Sequence, residues 1–337
     1  MKSYTVAIVG AAGLVGQEFI KILQQRQFPL ANLRLFTTDR PAGKKVSFNH
    51  QDVPLEELHS SSFKHVDLAL FSAGAEASCH FVPMAMKDGA VVLDTTAAFR
   101  LEEGVPLVVP EINPQDLRRH SGLVANPCCI AIQVAMALFP LHRVNPVRRV
   151  IVDSYEAVSG SGASAMEELS VQARLILEGK NVIPHIYPHQ IAFNLLPEID
   201  VFLDNGYSKE EWRIVRETRK IMHAPEVAIS ATAVRVPVYI GYSAALHVEF
   251  SSKITPEEAR GILGASPGIR ILDDPSVSLY PQPWVAAGQD EVFVGRIRED
   301  ISHPNSLALW VVTDNVRKGT ALNAVQIAET LIEQGWL

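Results

Sequence analysis

Along the first third of the chain, short apolar runs of strand length alternate with stretches of helical periodicity. Thr5 to Val9 and Leu33 to Phe36 are short β-rich runs, Val66 to Phe71 is nearly continuous apolar sequence, and Ala90 to Asp94 forms a fourth run. Between them Val15, Phe19, Ile22 and Leu23 recur at helical spacing, and residues 75–87 read as another helix. Unbroken apolar runs suit strands buried on both faces, and their alternation with helices predicts an open, doubly wound parallel sheet. Beyond residue 126 the pattern changes. Ile130, Val134, Ala137 and Leu138 follow the Asn126-Pro127 turn at helical spacing, because a residue before proline is pushed out of the helical region and the helix starts after it. Arg149 to Tyr155 is strand-like, 163–179 helical, 180–206 irregular and rich in Pro and His, and 208–222 a charged helix. Ala231 to Tyr239, Ala244 to Phe250, Glu291 to Arg298 and Leu307 to Thr313 are rich in β-branched residues and predict a mixed or antiparallel sheet. From Asn315 a glycine-punctuated helix runs to the end, amphipathic through Leu322, Val325, Ala328, Leu331 and Ile332.

The first strand ends in Gly10-Ala11-Ala12-Gly13-Leu14-Val15-Gly16 and a helix follows. Strand, glycine turn and helix N-terminus together let backbone approach a pyrophosphate and offer it N–H donors. The spacing is GxxGxxG, and the alternative is a tight turn with close helix packing. The predicted fold is therefore α/β: a Rossmann-like doubly wound parallel sheet over residues 1–128, completed by a C-terminal helix at 316–337, plus an α+β domain with a mixed sheet over 129–315. Thr38, Arg40 and Lys44 follow the second strand and face the expected adenosine ribose, where Arg40 with the Thr38 hydroxyl suits a 2′-phosphate and an acid suits a free hydroxyl. Arg100 leaves a strand end, where an arginine can meet an anionic substrate or lie on the surface. At the Asn126-Pro127-Cys128-Cys129 turn a thiol falls near a helix start, whose dipole and unpaired N–H groups favour the thiolate. Unpaired cysteines are also commonly small buried hydrophobes. The small-residue loop at 156–163 permits close backbone approach, whereas Glu210 and Arg213, at i, i+3 spacing, suggest a solvated helix face.

The chain has 337 residues, enough for two domains, and a net charge of -7, which gives no electrostatic basis for nucleic acid or an anionic membrane. Three cysteines, two of them adjacent, make no disulfide framework, and no His/Cys cluster has zinc spacing. His185 and His189 lack an acid or thiol beside them, so no metal is expected. No leader-like apolar segment precedes Tyr4 and no apolar run reaches membrane-spanning length, so a cytoplasmic protein is expected.

From end to end the motifs resemble aspartate-β-semialdehyde dehydrogenases: Ile8 to Gly16, Phe71-Ser72-Ala73-Gly74, Val105 to Asn113, Tyr155 to Gly162, His189 to Asn194, Phe293 to Arg298, and Trp310 to Glu329. The resemblance implies an NADP-dependent oxidoreductase of amino-acid and lysine biosynthesis, with NAD the alternative cofactor, acting as a homodimer on β-aspartyl phosphate. It makes residues 129–315 the catalytic and dimerisation domain. It further implies Cys129 as nucleophile, Arg100 as phosphate ligand, Arg235 as carboxylate clamp, and Glu210 with Arg213 as a substrate pair. The cofactor is assigned to Gly10, Gly13, Leu14, Val15, Gly16, Thr38, Arg40, Ser72, Gly74 and Asn315.

Several positions depart from the family's pattern. Tyr242 stands where the family has its acid/base histidine, Glu156 where it has a substrate-orienting glutamine, Cys128 where it has asparagine, and Pro41 where a serine helps hold the 2′-phosphate. A phenol is a poor base at neutral pH, and a carboxylate beside a thiolate weakens the nucleophile. The departures imply impaired or altered chemistry, or, as the alternative, a catalytically inactive paralogue with a binding or regulatory role.

Overall fold

A computed structural model describes residues 2–38 and 44–337. The chain divides into two compact units, residues 1–128 with 320–337, and residues 129–319.

In the first unit β1 (Tyr4–Val9), α1 (Leu14–Gln25), β2 (Leu30–Thr37), β3 (Lys45–Phe48), β4 (Gln51–Glu57), β5 (Leu68–Phe71), α2 (Ala75–Lys87), β6 (Val91–Asp94) and β7 (Leu123–Ala125) build a seven-stranded sheet in the order β3-β4-β2-β1-β5-β6-β7. All neighbouring pairs are parallel except β3 with β4. β5 is buried at every position, as its unbroken apolar sequence requires. One face of the sheet packs Ile8, Leu35, Leu70 and Leu93 against Phe19, Ile22 and Leu23 of α1. The last helix of the chain, which spans Leu322–Glu333, adds Leu322, Val325, Ala328 and Leu331 to the same core. The other face gathers Phe36, Phe63, Phe71 and Val82.

The second unit contains α3 (Cys129–Val144), β8 (Val147–Ala157), α4 (Ala163–Leu177), α5 (Lys209–Met222), β9 (Ala228–Val236), β10 (Tyr242–Phe250), α6 (Pro256–Gly264), β11 (Ile269–Ile271), α7 (Pro283–Ala286), β12 (Val292–Glu299) and β13 (Ser306–Thr313). Its six strands run β11-β12-β13-β10-β8-β9. β8 pairs parallel with β9 and antiparallel with β10, so the sheet is mixed, as the second-half pattern predicts. α8 is the Leu322–Glu333 helix. It starts with its first amphipathic residue, later than the Asn315 start read from the sequence, because Arg317–Ala321 form a π-helical turn. No helix among the described residues is long and apolar enough to cross a membrane.

One expectation needs correction. α5 is not a solvated helix: it buries Ile214, Val215, Ile221 and Met222 and also Glu210 and Glu211. Glu211 closes a capping box with Ser208 and accepts the Ala233 N–H of β9 at 3.0 Å, so acids that look solvent-directed are structural. The irregular stretch after α4 is tied down by two buried side chains. Glu168 Oε2 accepts the N–H groups of His185 and Ile186 at 3.1 and 2.7 Å, and Gln172 Oε1 accepts those of Ile191 and Ala192 at 2.9 and 3.1 Å.

Candidate active site

The sequence-predicted residues fall into both units. In the first, β1 ends at Val9 and the chain turns at Gly10, whose φ of +88° only glycine adopts readily. A Cβ there would lie 2.9 Å from Ala73 N, and one at Gly16 would lie 2.3 Å from Gly10 O. The turn is therefore packed as closely as backbone permits. It opens on a cavity of about 200 Å³ lined by Gly10, Ala12, Gly13, Thr37, Thr38, Ser72 and Ala73. Leu14 and Val15 begin α1 above it, and Gly74 N-caps α2. A cradle free of Cβ atoms beside a helix N-terminus fits a dinucleotide phosphate. Arg40 and Pro41, the residues relevant to the 2′-phosphate, lie outside the described residues.

Arg100 is buried in the same unit, not spread on the surface. Asp94, at the end of β6, accepts from Thr96 N at 3.1 Å and Thr96 Oγ1 at 2.8 Å and bends the chain sharply. Burial raises the Asp94 carboxyl above the usual carboxylate range, against the Ser78 and Thr96 hydrogen bonds and the Arg100 charge. Arg100 then donates from Nη2 to Thr95 O at 2.7 Å and from Nε to Asn126 O at 2.9 Å. Asn126, fully buried, is held by Asn323 Nδ2 at 2.8 Å. The backbone leading into the two cysteines is thus locked from both sides.

In the second unit Cys129 is the first residue of α3, half-buried, whereas Cys128 is buried. Helix N-termini leave N–H groups unpaired and favour negative charge. Gly319 lies against the nucleophile candidate: a Cβ there would come within 3.0 Å of Cys129 Cβ.

Strand register assembles the remaining polar groups. Glu156 of β8 pairs with Arg235 of β9, and Ser243 of β10 pairs with Tyr155, which puts Tyr242 beside Glu156 on the opposite flank. Arg235, Glu156 and Tyr242 therefore form a cross-strand row, and all three are buried. Arg235 Nη1 donates to Ala157 O at 2.8 Å and to Tyr242 Oη at 3.2 Å, and it lies 3.9 Å from Glu156 Oε2. Its buried Nε has no hydrogen-bond acceptor among the described residues. Ser154 Oγ donates to Glu156 Oε1 at 3.0 Å. Burial, then the Glu210 charge, push the Glu156 carboxyl up to about 8, against the pull of Arg235, Ser154 and Tyr242. Near neutral pH this carboxyl is mostly protonated, so the negative charge expected beside the thiolate is largely withheld. Burial also holds the Tyr242 phenol well above its ordinary value. Arg235 opposes that shift, and the Glu156 and Cys129 charges add to it. Arg213 bridges Glu210 at 2.9 Å and Asp200 at 2.6 Å. Asn315, expected at the cofactor, accepts from Gly241 N at 2.9 Å and bonds Ser159 through both ends of its amide, at 2.9 and 3.1 Å.

The pH dependence of stability follows from Glu156. Its folded value lies near 8 and its ordinary value is 4.5, so between these limits the folded chain holds a proton that the unfolded chain has released. Stability then falls as pH rises through that window. Thermal melts of Glu156→Gln are expected to lose less stability than wild type between those pH values.

Gly160 is a site residue that sequence reasoning identifies only as part of a permissive loop. A Cβ there would sit 1.8 Å from Tyr242 Oη and 2.8 Å from Arg235 Nη1. Gly160→Ala must displace both groups, and a displacement of about 1 Å in a catalytic constellation costs roughly 100-fold in rate. Steady-state kinetics is expected to show a loss of that size.

Comparison with known proteins accounts for nearly the whole chain. Residues 5–120 match the semialdehyde dehydrogenase NAD binding domain, and residues 138–318 match the semialdehyde dehydrogenase dimerisation domain. The aspartate-semialdehyde dehydrogenase of Aquifex aeolicus is 48% identical over 336 residues, covering 98% of this chain and 99% of that protein. That of Bacillus subtilis is 46% identical, covering 97% of this chain and 96% of its own. Aspartate semialdehyde dehydrogenase II of Vibrio cholerae, solved in complex with ASA, has a TM-score of 0.96 at 41% identity and covers 99% of both chains. Similarity of this extent, through both units, means that the chain belongs to the aspartate-semialdehyde dehydrogenase family.

Proposed function

We propose that this chain reduces β-aspartyl phosphate to aspartate semialdehyde with NADPH and release of phosphate, through a thioester on Cys129, as a homodimer in the cytoplasm. The observation that carries the reading is the half-buried Cys129 at the start of α3 in the same unit as the buried Arg235 row. The Cys129 thiolate attacks the acyl carbon and phosphate departs, splitting one difficult displacement into two easier steps. N–H groups at the start of α3 stabilise the oxyanion. Arg235, whose buried Nε has no acceptor among the described residues, clamps the substrate carboxylate, with Glu210 and Arg213 as the second recognition pair. Arg100 binds phosphate.

The nicotinamide, when bound, supplies the hydride that reduces the thioester. Gly10, Gly13, Leu14, Val15, Gly16, Thr38, Ser72 and Gly74 hold the dinucleotide, and the Cβ-free turn at Gly10 and Gly16 supports this assignment. Arg40 is assigned to the 2′-phosphate, which favours NADP over NAD, and Asn315 to the cofactor side of its loop. No metal is required by these steps.

The test is phosphate-dependent oxidation of aspartate semialdehyde by the purified protein, with Cys129→Ala as control. Turnover no faster than the control removes the reading and leaves the inactive paralogue.

A further inference from the structure

Two of the motifs that carry the family resemblance, Val105 to Asn113 and Trp310 to Glu329, leave most of their residues without a part in the site described above. In the structure they meet behind the cysteine turn. Leu107 bridges Ala125 of β7, and Ala125 N donates to Pro106 O at 2.9 Å. Asn113 clamps this run, donating from Nδ2 to Leu107 O at 2.9 Å and accepting from Val109 N at 2.9 Å. α8 lies against the run, and its second residue, Asn323, is fully buried. Asn323 donates both hydrogens of its amide, from Nδ2 to Val108 O at 2.9 Å and to Asn126 Oδ1 at 2.8 Å. Every polar group of Asn126 is engaged in turn. Its N–H donates to Asp94 O at 2.8 Å, its Nδ2 donates to Pro127 O at 3.0 Å, its Oδ1 accepts from Asn323, and its carbonyl accepts from Arg100 Nε at 2.9 Å. Burying a carboxamide is costly unless it is hydrogen-bonded, and a fully satisfied buried network rigidifies what it joins.

We propose that Asn323 is a positioning residue for the reaction, which through Asn126 sets both the turn that carries Cys129 and the guanidinium of Arg100. This rests on the reading of Cys129 as nucleophile and Arg100 as phosphate ligand. Only Pro127 and Cys128 separate Asn126 from Cys129, and the proline ring fixes its own φ, so a shift of Asn126 is carried along a stiff link to the thiol. The same shift moves the carbonyl to which Arg100 donates. One hydrogen bond made on the far side of Asn126 therefore acts on the attacking sulfur and on the ligand of the departing phosphate together. Without the Asn323 amide, Val108 O and Asn126 Oδ1 lose this donor, and buried acceptors so deprived must rearrange. The second bond, to Val108, fixes α8 to the run that pairs with β7, so the C-terminal helix becomes the fixed support from which the turn is held.

The experiment uses the full chain and its Asn323→Leu, Asn126→Ala, double and Gln326→Ala variants, each checked by circular dichroism and thermal melting. Initial rates of NADPH formation from aspartate semialdehyde, inorganic phosphate and NADP are measured with each reactant varied in turn. Asn323→Leu keeps a branched side chain and removes both donors. It is expected to lower kcat about 10- to 100-fold and to raise KM for phosphate about 10-fold, with KM for NADP within about twofold of wild type. Anchoring of α8 alone predicts another pattern: α8 shares one core with α1, so loosening it would reach the Gly10 turn and raise KM for NADP as well. Gln326→Ala removes a different tether of α8 to the same run, the 3.1 Å bond from Nε2 to Glu111 Oε1, and is expected to keep the wild-type constants. The double variant is expected to be no slower than the slower single variant, because both residues act through one bond. Asn323→Ser retains one hydroxyl donor, is expected to fall between Asn323→Leu and wild type, and takes its place if Asn323→Leu does not fold. A second readout needs neither substrate nor cofactor: the rate of Cys129 alkylation by iodoacetamide at one pH, followed by mass spectrometry of the peptide that carries it. Asn323→Leu and Asn126→Ala are expected to shift that rate in the same direction, and Gln326→Ala to leave it unchanged. Wild-type kcat and KM for phosphate in Asn323→Leu, an equal rise in KM for NADP and for phosphate, or an unchanged alkylation rate would each overturn the assignment. Absence of turnover in wild type would reject the proposed function instead, and the alkylation rates would then decide whether Asn323 sets the turn.

Discussion

Cys129→Ala is expected to abolish measurable reduction, lowering kcat by on the order of 10⁵-fold, the scale on which removing a covalent nucleophile acts in other enzymes. The effect is large because the covalent path disappears while binding remains. Arg235 and the α3 N-terminus are untouched by the substitution, and loss of a half-buried sulfur opens only a small space. Binding of aspartate semialdehyde and of NADPH, measured by calorimetry and by nucleotide fluorescence, is therefore expected to stay close to wild type. Cys128→Ala provides the contrast. Cys128 is buried ahead of the helix, so a modest stability loss with retained turnover is expected, and the pair of measurements assigns the chemistry to one of two neighbouring thiols.

Arg235→Leu is expected to lower kcat/KM by about 1,000-fold, since truncating one member of a buried, hydrogen-bonded charge pair costs about 2–5 kcal/mol. Two effects act together. The substrate carboxylate loses the guanidinium whose Nε has no other acceptor among the described residues. Glu156 loses the cation 3.9 Å away that opposes its upward shift, so its titration moves further above about 8. Arg235→Lys keeps the charge and loses the fork, so its loss is expected to be smaller.

The parallel sheet is legible because buried parallel strands carry an unmistakable pattern. Val66 to Phe71 is apolar at almost every position, and the period changes to helical directly after Gly16. The β3-β4 hairpin is absent from the sequence reading for the converse reason. Its strands at the sheet edge are short and mostly exposed, with Pro54 inside β4, so the apolar period is only two positions long in each, Val46 with Phe48 and Val53 with Leu55. α6 was also unread, although Thr255 to Glu258 spell a capping box that the structure forms. α5 illustrates how charge misleads: Glu210 and Glu211 resemble surface acids, yet both are buried, Glu210 against Arg213 of its own helix and Glu211 against the Ala233 N–H of β9.

Local order in the chain was enough to establish the glycine turn, the strand and helix alternation and the thiol at a helix start, because each depends on residues within about one helical turn of one another. The resemblance carried along the chain added Arg235, Glu156 and Tyr242 as individual positions. Their chemistry as a group could not be read from any of those segments. Residues 156, 235 and 242 meet because β8 is paired on both sides in one register, and a slip of one residue would turn each side chain to the opposite face. Burial on that face raises the Glu156 carboxyl and the Tyr242 phenol together. Burial is a property of everything packed around a group, so the proton affinities of this site come from the folded arrangement and from no stretch of sequence alone.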